Sequence, residues 1–112
     1  MNRFSDWFEL TEKGVQAHGP QTAAALQVRR ADGVLSYSEG MSAMVWYGYS
    51  SENAAKTLRK VFGEELKKPG SLGQGPLVFR YLQGASARAS IARRADHFLR
   101  KFGEVPLFNQ DI

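Results

Sequence analysis

The hydrophobic repeat of this chain changes near residue 50 from a period of two to a period of about 3.6. Before that point, the segments TAAALQV and MVWYGYS alternate along the chain or are rich in aromatic and β-branched residues, which is typical of strands. After it, the apolar residues recur at helical spacing: Ala54, Ala55, Leu58, Val61, Phe62 and Leu66. The chain has 112 residues and no linker long enough to divide it, so we predict one small α+β domain spanning residues 1–112.

The other segments extend this to a predicted order of α-β-β-β-α-β-α. The spacing of apolar residues from Phe4 to Val15 predicts an amphipathic first helix, which ends near Gly14 or the HGP at 18–20. Two alternating segments flank Asp32-Gly33, a dipeptide that favours a two-residue hairpin turn because both positions tolerate positive φ. With the strand after Gly40, these segments predict a three-stranded antiparallel meander.

The second half of the chain has clearer boundaries. Ser50 or Ser51 can cap the second helix, and Gly63 can end it. The apolar run LVFRYLQ predicts a short fourth strand, packed by helices like the meander. The last helix is predicted to begin at Ser86 and to stop at Gly103, and residues 105–112 are predicted to be a tail.

A second interpretation of residues 20–40 is a helix-turn-helix, with AMVWYGYS as part of a wing. Gly33 would then lie inside the recognition helix, where glycine costs about 1 kcal/mol relative to alanine. The hairpin is the preferred interpretation, and the winged helix-turn-helix stays open. The α-β-β-β-α portion also resembles double-stranded-RNA-binding domains in element order. The basic cluster that opens their last helix is absent, because SSENAAK stands there, so the resemblance implies a fold order only.

Composition excludes several kinds of chemistry. The chain has no cysteine, which removes disulfides, thiolate zinc sites and cysteine nucleophiles, and which fits a reducing, cytoplasmic location. No run approaches the roughly 20 apolar residues of a membrane span, and Asp6 and Glu9 interrupt the N-terminal segment, unlike a signal peptide. His18 and His97 are far apart, and no metal-ligand spacing occurs. We therefore expect no enzyme, no cofactor, no metal and no membrane partner.

The formal net charge of +4 is concentrated in residues 85–103. This segment holds five basic residues and one acidic residue, whereas the rest of the chain holds ten of each. On a helical projection the apolar residues share one sector, and the opposite side carries Arg93, Arg94, His97, Arg100 and Lys101. The planar donor fork of arginine matches phosphate geometry. The pattern predicts an anion-binding face, and an ordinary solvated face is the alternative.

The aromatic residues of MVWYGYS offer a second candidate surface. Tyr47 and Tyr49 share one face of the predicted strand, and Tyr37 lies on its neighbour. Such rings can stack on nucleic-acid bases or anchor a protein interface, although strand aromatics also pack in cores. Arg29 and Arg30, on the adjoining strand, would then supply phosphate contacts.

These features favour a small, non-enzymatic nucleic-acid-binding accessory or regulatory protein, whose target is DNA or RNA. The alternative is a protein-interaction module, such as an adaptor or small inhibitor, that docks its basic and aromatic surface on an acidic protein. The sequence leaves the oligomeric state open.

Overall fold

The computed structural model describes residues 3–110 and confirms the α+β class. Its elements, in chain order, are β1 (Phe8–Glu9), α1 (Glu12–His18), β2 (Ala24–Arg30), β3 (Leu35–Tyr37), β4 (Gly40–Ser42), β5 (Met44–Ser50), α2 (Ala54–Val61), α3 (Gly63–Lys67), β6 (Leu77–Leu82), α4 (Ala87–Phe102) and a 3₁₀ helix (Leu107–Asn109).

Four of the strands form one antiparallel sheet in the order β1-β6-β2-β5, and β3 and β4 form a separate hairpin. In the middle of the sheet, Gln27 of β2 lies between Tyr47 of β5 and Arg80 of β6. The next row along β2 joins Val28, Trp46 and Phe79. Because successive side chains of a strand point to opposite faces, the first row belongs to one face of the sheet and the second row to the other.

The strand pairing differs from the predicted meander. β2 pairs with β5 and β6, whereas β3 pairs only with β4, and Gly33 (φ 72°) lies in a bend where the chain leaves the sheet. The reason is length: β2 and β5 each have seven residues and β6 has six, but β3 has three. Long-range pairing therefore overrides the Asp32-Gly33 turn signal. Residues 24–30 are a strand, so the helix-turn-helix is not present. Four strands and not three lie between α1 and α2, so the element order also differs from that of double-stranded-RNA-binding domains.

The first helix was also predicted too early. The backbone N–H of Ser5 donates to the carbonyl of Tyr81, so the N-terminal segment runs along β6 instead of forming a helix. α1 begins after Thr11, whose hydroxyl accepts a hydrogen bond from the N–H of Gly14. A threonine in this role satisfies one of the free amides of the first turn, which explains why the helix starts there.

Three short helices cover one face of the sheet, which we call the helix-packed face. Its main core consists of Leu26, Val28, Trp46, Phe79 and their neighbours from α1, α2 and α3. The cap of α2 is Asn53, whose side chain accepts from the N–H of Lys56, and not Ser50 or Ser51. α2 ends at Val61, with Phe62 as its C-cap, and Gly63 begins α3, so the helix is interrupted next to the predicted stop at Gly63.

The opposite face, which we call the cleft face, is only partly covered. Ala87 and Ile91 of α4 pack on Ala25 and Leu82 of the sheet. Farther along α4, the ring of Phe98 contacts Tyr37 and Tyr47, at centroid distances of 4.9 and 5.9 Å. The predicted bounds of this helix are confirmed, since Ser86 precedes it and Gly103 ends it with φ 76°.

Residues 105–110 are attached to the domain and are not a free tail. Pro106 is buried, and the ring of Phe108 lies 5.6 Å from that of Phe62. The side chain of Asn109 accepts from the N–H of Tyr47 (3.0 Å) and donates to its carbonyl (2.9 Å). This amide thus occupies backbone groups on the outer edge of β5, which would otherwise be open. The last two residues of the predicted tail, 111 and 112, lie outside the described residues.

Candidate nucleic-acid interface

A cleft of about 320 Å³ lies between α4 and the sheet, on the cleft face. It is lined by Tyr47, Ser90, Arg93, Arg94 and His97. The four α4 residues are spaced three, one and three residues apart, so they share one flank of the helix. We call this site the basic cleft. It brings together three of the predicted basic residues and one of the predicted tyrosines.

A row of alternating arginines and aromatic rings adjoins the basic cleft. The guanidinium carbon of Arg94 lies 4.8 Å from the ring centroid of Phe4, and that of Arg80 lies 4.5 Å from the same ring. Arg80 is also 4.5 Å from the ring of Trp7, which Arg29 approaches to 4.0 Å. We call these five residues the arginine–aromatic row. Cation–π contacts of this kind hold a guanidinium by its face and leave its N–H edge able to bind an anion.

One hydrogen bond fixes the central arginine of the row. The Nε of Arg80 donates to Oε1 of Gln27 at 2.6 Å, and Gln27 is 2% exposed. The buried polar side chain on β2 is therefore explained by its charged partner on β6. Because buried polar groups need a hydrogen-bond partner, Gln27 and Arg80 form a unit that sets the position of the row on the sheet.

The charges of the site are not neutralised by nearby acids. Among residues 3–110, the ion pairs are Arg59–Glu12, Lys67–Glu64 and Arg100–Asp96, and none of them involves Arg29, Arg80, Arg93 or Arg94. Burial lowers the pKa of Arg80, and the charges of Arg94 and Arg29 lower it further. Burial raises the pKa of Tyr47, while Arg94 and Arg80 oppose that rise. The site is thus an accumulation of positive charge around a half-buried ring.

Several predicted residues lie elsewhere. Arg100 forms its ion pair with Asp96 at 3.0 Å, outside the cleft. Lys101 is exposed one turn beyond His97, 5.5 Å from the ring of Phe102. Arg30 follows Arg29 in β2 and therefore points to the other face of the sheet. There its Nη1 donates to the carbonyl of Val34 (3.3 Å), and its Nε is buried without a hydrogen-bond partner in the described part of the chain.

Two of the three predicted tyrosines, Tyr37 and Tyr49, make contacts within the fold and lie outside the basic cleft. Tyr37 is 9% exposed, and its hydroxyl donates to the carbonyl of Met44 (2.6 Å) and accepts from the N–H of Leu107 (3.1 Å). Burial accordingly raises its pKa. Tyr49 packs against the apolar cluster that α4 forms with the sheet, and its ring centroid lies 5.8 Å from the guanidinium carbon of Arg88, outside the basic cleft. Of the three tyrosines, Tyr47 is the one that lines the cleft.

Sequence reasoning missed Arg80, Phe4 and Trp7. Arg80 is the one charged residue in the apolar strand LVFRYL, and this interruption was the available signal. Its place beside Gln27 depends on the register of β6 against β2, which the sequence does not reveal. Phe4 and Trp7 were assigned to a helix, which hid the fact that their rings reach the arginines.

Other kinds of site have no support in the residues that the structure describes. Between residues 3 and 110, no three histidine or acidic side chains come together as a possible metal site. None of the helices in this range is both long enough and apolar enough to cross a membrane. Comparison of the chain with protein-family models, with curated proteins and with solved structures found no match in any of the three.

Proposed function

We propose that this protein binds nucleic acid through the basic cleft and the arginine–aromatic row, as a non-enzymatic accessory or regulatory protein. The observation that carries the proposal is the group of four arginines, Arg29, Arg80, Arg93 and Arg94, gathered on one face with no ion-pair partner in residues 3–110. A polyanion with regularly spaced phosphates offers such a group several charge-assisted hydrogen bonds at once.

A face that served only to keep the protein soluble would have a different make-up. It would mix both signs of charge, since an acid placed one turn from a base stabilises a helix and like charges at this spacing destabilise it. The flank lined by Arg93, Arg94 and His97 has no acid of its own, because Asp96 pairs with Arg100 instead. Like charges also surround Arg80. The fold tolerates this repulsion, which an anionic ligand would relieve.

The aromatic rings favour nucleic acid over an acidic protein surface. Proteins that bind nucleic-acid strands combine positively charged grooves with aromatic side chains and arginines that contact the bases. Tyr47, Phe4 and Trp7 supply such rings next to the unpaired guanidiniums. The arginine fork also matches phosphate oxygens better than a lysine ammonium does.

A pair of charge-matched variants tests this proposal. Arg93→Ala with Arg94→Ala removes two charges from the cleft, and Arg59→Ala with Lys60→Ala removes two exposed charges from α2. Fluorescence anisotropy with labelled DNA and RNA oligonucleotides, from 50 to 200 mM NaCl, measures the affinity. We expect the cleft variant to bind roughly tenfold or more weakly and to lower the slope of log K against log salt by about 1.4 on a single strand. The control should stay within about twofold.

Two results would contradict the proposal. Absence of DNA and RNA binding at low salt would exclude it and leave an acidic protein as the partner of this surface. An equal loss in both double variants would show that binding follows net charge and not the cleft.

A further inference from the structure

The exposed ridge of α4 is poorly suited to double-stranded nucleic acid. On a helical projection, the line opposite the buried Ile91 carries Arg93 and Arg100, with Asp96 beside it, and Arg100 pairs with Asp96 at 3.0 Å. The major groove of DNA, about 12 Å wide, admits a helix with its outward side first. A duplex docked on this ridge would therefore meet, beside Arg93, a carboxylate and an arginine that is already paired.

The guanidiniums of Arg94, Arg80 and Arg29 lie against the aromatic rings of the N-terminal segment. Arg94 points across to Phe4, and Arg80 and Arg29 rise from β6 and β2 onto the rings of Phe4 and Trp7. A duplex keeps its bases stacked inside, so they cannot reach an aromatic ring at this site. A single strand can turn its unstacked bases towards aromatic rings and its phosphates towards arginines.

The size and lining of the basic cleft fit one nucleotide unit. Its volume of about 320 Å³ is at the lower end of the roughly 300–1,000 Å³ that small-molecule sites occupy. The ring of Tyr47 offers an aromatic surface, and Arg93 and Arg94 stand beside it with donors for a phosphate. Asn109 holds the backbone of Tyr47 through two hydrogen bonds, so the ring is presented from a fixed strand.

We infer that the basic cleft takes single-stranded nucleic acid, with an unstacked base against Tyr47 and the flanking phosphates on Arg93, Arg94 and Arg80. This inference rests on the proposed function and adds the form of the ligand. Base–aromatic stacking tolerates any sequence because every base has a π face. The cleft therefore selects for strand form and not for sequence.

The test compares one fluorescein-labelled 20-mer of mixed sequence in two forms, alone and annealed to its complement, by anisotropy at a single salt concentration. We expect the unmodified protein to bind the single strand at least tenfold more tightly than the duplex. Tyr47→Leu should weaken single-strand binding by about 5- to 150-fold, the range that loss of one stacked base gives. Tyr47→Phe should retain binding, and Tyr49→Leu, two residues away and outside the cleft, is the matched control.

The possible failures can be told apart. Equal affinity for the single strand and the duplex overturns this inference but leaves the proposed function in place, and failure to bind either form overturns both. Thermal unfolding checks that each variant is folded. If Tyr47→Leu does not fold, the ratio of affinities of the unmodified protein still decides the question, and Tyr47→Phe shows whether the ring alone is sufficient.

Discussion

The two faces of the central sheet come from the same strands and have opposite chemistry. The helix-packed face presents Leu26, Trp46 and Phe79 to three helices, whereas the cleft face carries Tyr47 in the basic cleft and Arg80 in the adjoining arginine–aromatic row. Apolar burial stabilises the first face, while like-charge repulsion opposes assembly of the second. We therefore expect the helix-packed face to contribute most of the stability, and the proposed function assigns binding to the cleft face.

The two neighbouring residues Phe79 and Arg80 allow a direct comparison. They follow one another in β6, so they share a backbone environment and differ in the face that they serve. Substitutions at these positions should separate the free energy of unfolding from the affinity for nucleic acid. The predictions below begin with the largest expected effect on stability.

Phe79→Ala should destabilise the protein by about 3–5 kcal/mol, because it removes a fully buried ring and leaves a cavity. Urea denaturation followed by circular dichroism measures the change. Val78→Ala is the control on the same strand, since Val78 is half-buried and lies on the cleft face. A cost for Phe79→Ala no larger than that of the control would show that the helix-packed face is not the main source of stability.

Gly48→Ala should destabilise the same face by about 1–3 kcal/mol, the usual cost of overpacking. Gly48 lies opposite Leu26, and a methyl group there would overlap the ring of Trp46, which is buried. Gly63→Ala is the matched control, because a methyl group at Gly63 meets open space. The control should be neutral or slightly stabilising, by about 0.4–1 kcal/mol. Similar melting temperatures for the two variants would contradict this account of Gly48.

The double variant Gln27→Leu with Arg80→Met should change stability by no more than about 1 kcal/mol, because both partners of the buried hydrogen bond are replaced by apolar groups of similar shape. It also removes one of the like charges around Tyr47. Arg80→Met alone should be less stable than the double variant, because it leaves the buried Gln27 oxygen unpaired. Urea denaturation of all three proteins gives the order.

A loss of stability in the double variant as large as that of Phe79→Ala would show that Arg80 contributes to folding as Phe79 does, and the contrast between the two faces would fail. Anisotropy with the labelled single strand completes the test. The double variant should remain folded but bind the single strand more weakly. Substitutions on the helix-packed face that leave the protein folded should not weaken binding.

The sequence predicted local patterns well and long-range pairings poorly. α4 was predicted with its bounds because its apolar repeat spans more than four turns and Gly103 stops it in the left-handed conformation. The meander was wrong because the Asp32-Gly33 turn signal acts over a few residues, whereas the pairing of β2 with β5 and β6 depends on three long strands meeting. Local signals do not report which distant segment completes a sheet.

The same difference between local and long-range signals applies to the candidate site. Arg93, Arg94 and His97 could be placed together because one helix fixes their spacing, and Tyr47 and Arg29 were reachable from strand alternation. The arginine–aromatic row could not be predicted, because its members come from four separated segments (the N-terminal segment, β2, β6 and α4) that meet only in the folded structure. The spacing of Phe4, Trp7 and Phe8 fits a helix, and it also fits an extended segment with apolar side chains on both faces. The segment is extended in the structure because it pairs with β6.

Lowering the pH should affect neither Phe79 nor Arg80. It should weaken a contact that lies outside both faces of the sheet. Glu104 accepts hydrogen bonds from the N–H and the hydroxyl of Ser38, at 2.6 and 2.8 Å, and from the Gln110 amide at 3.0 Å. These bonds, those from Ser38 foremost, lower the pKa of Glu104. They tie the segment between β3 and β4 to the chain after α4.

A carboxyl whose pKa is lower in the folded state contributes stability above its unfolded value, about 4.3 for glutamate, and loses it as the pH falls through the folded pKa. Glu104→Gln should therefore be less stable than the unmodified protein at pH 7, and the difference should shrink as the pH falls below about 4. Melting temperatures from pH 7 to pH 3 measure this. Ser38→Ala should reduce the same pH dependence in part, because it removes the hydroxyl donor but keeps the N–H. A constant difference between Glu104→Gln and the unmodified protein across this range would show that the carboxylate is not what holds the two segments together.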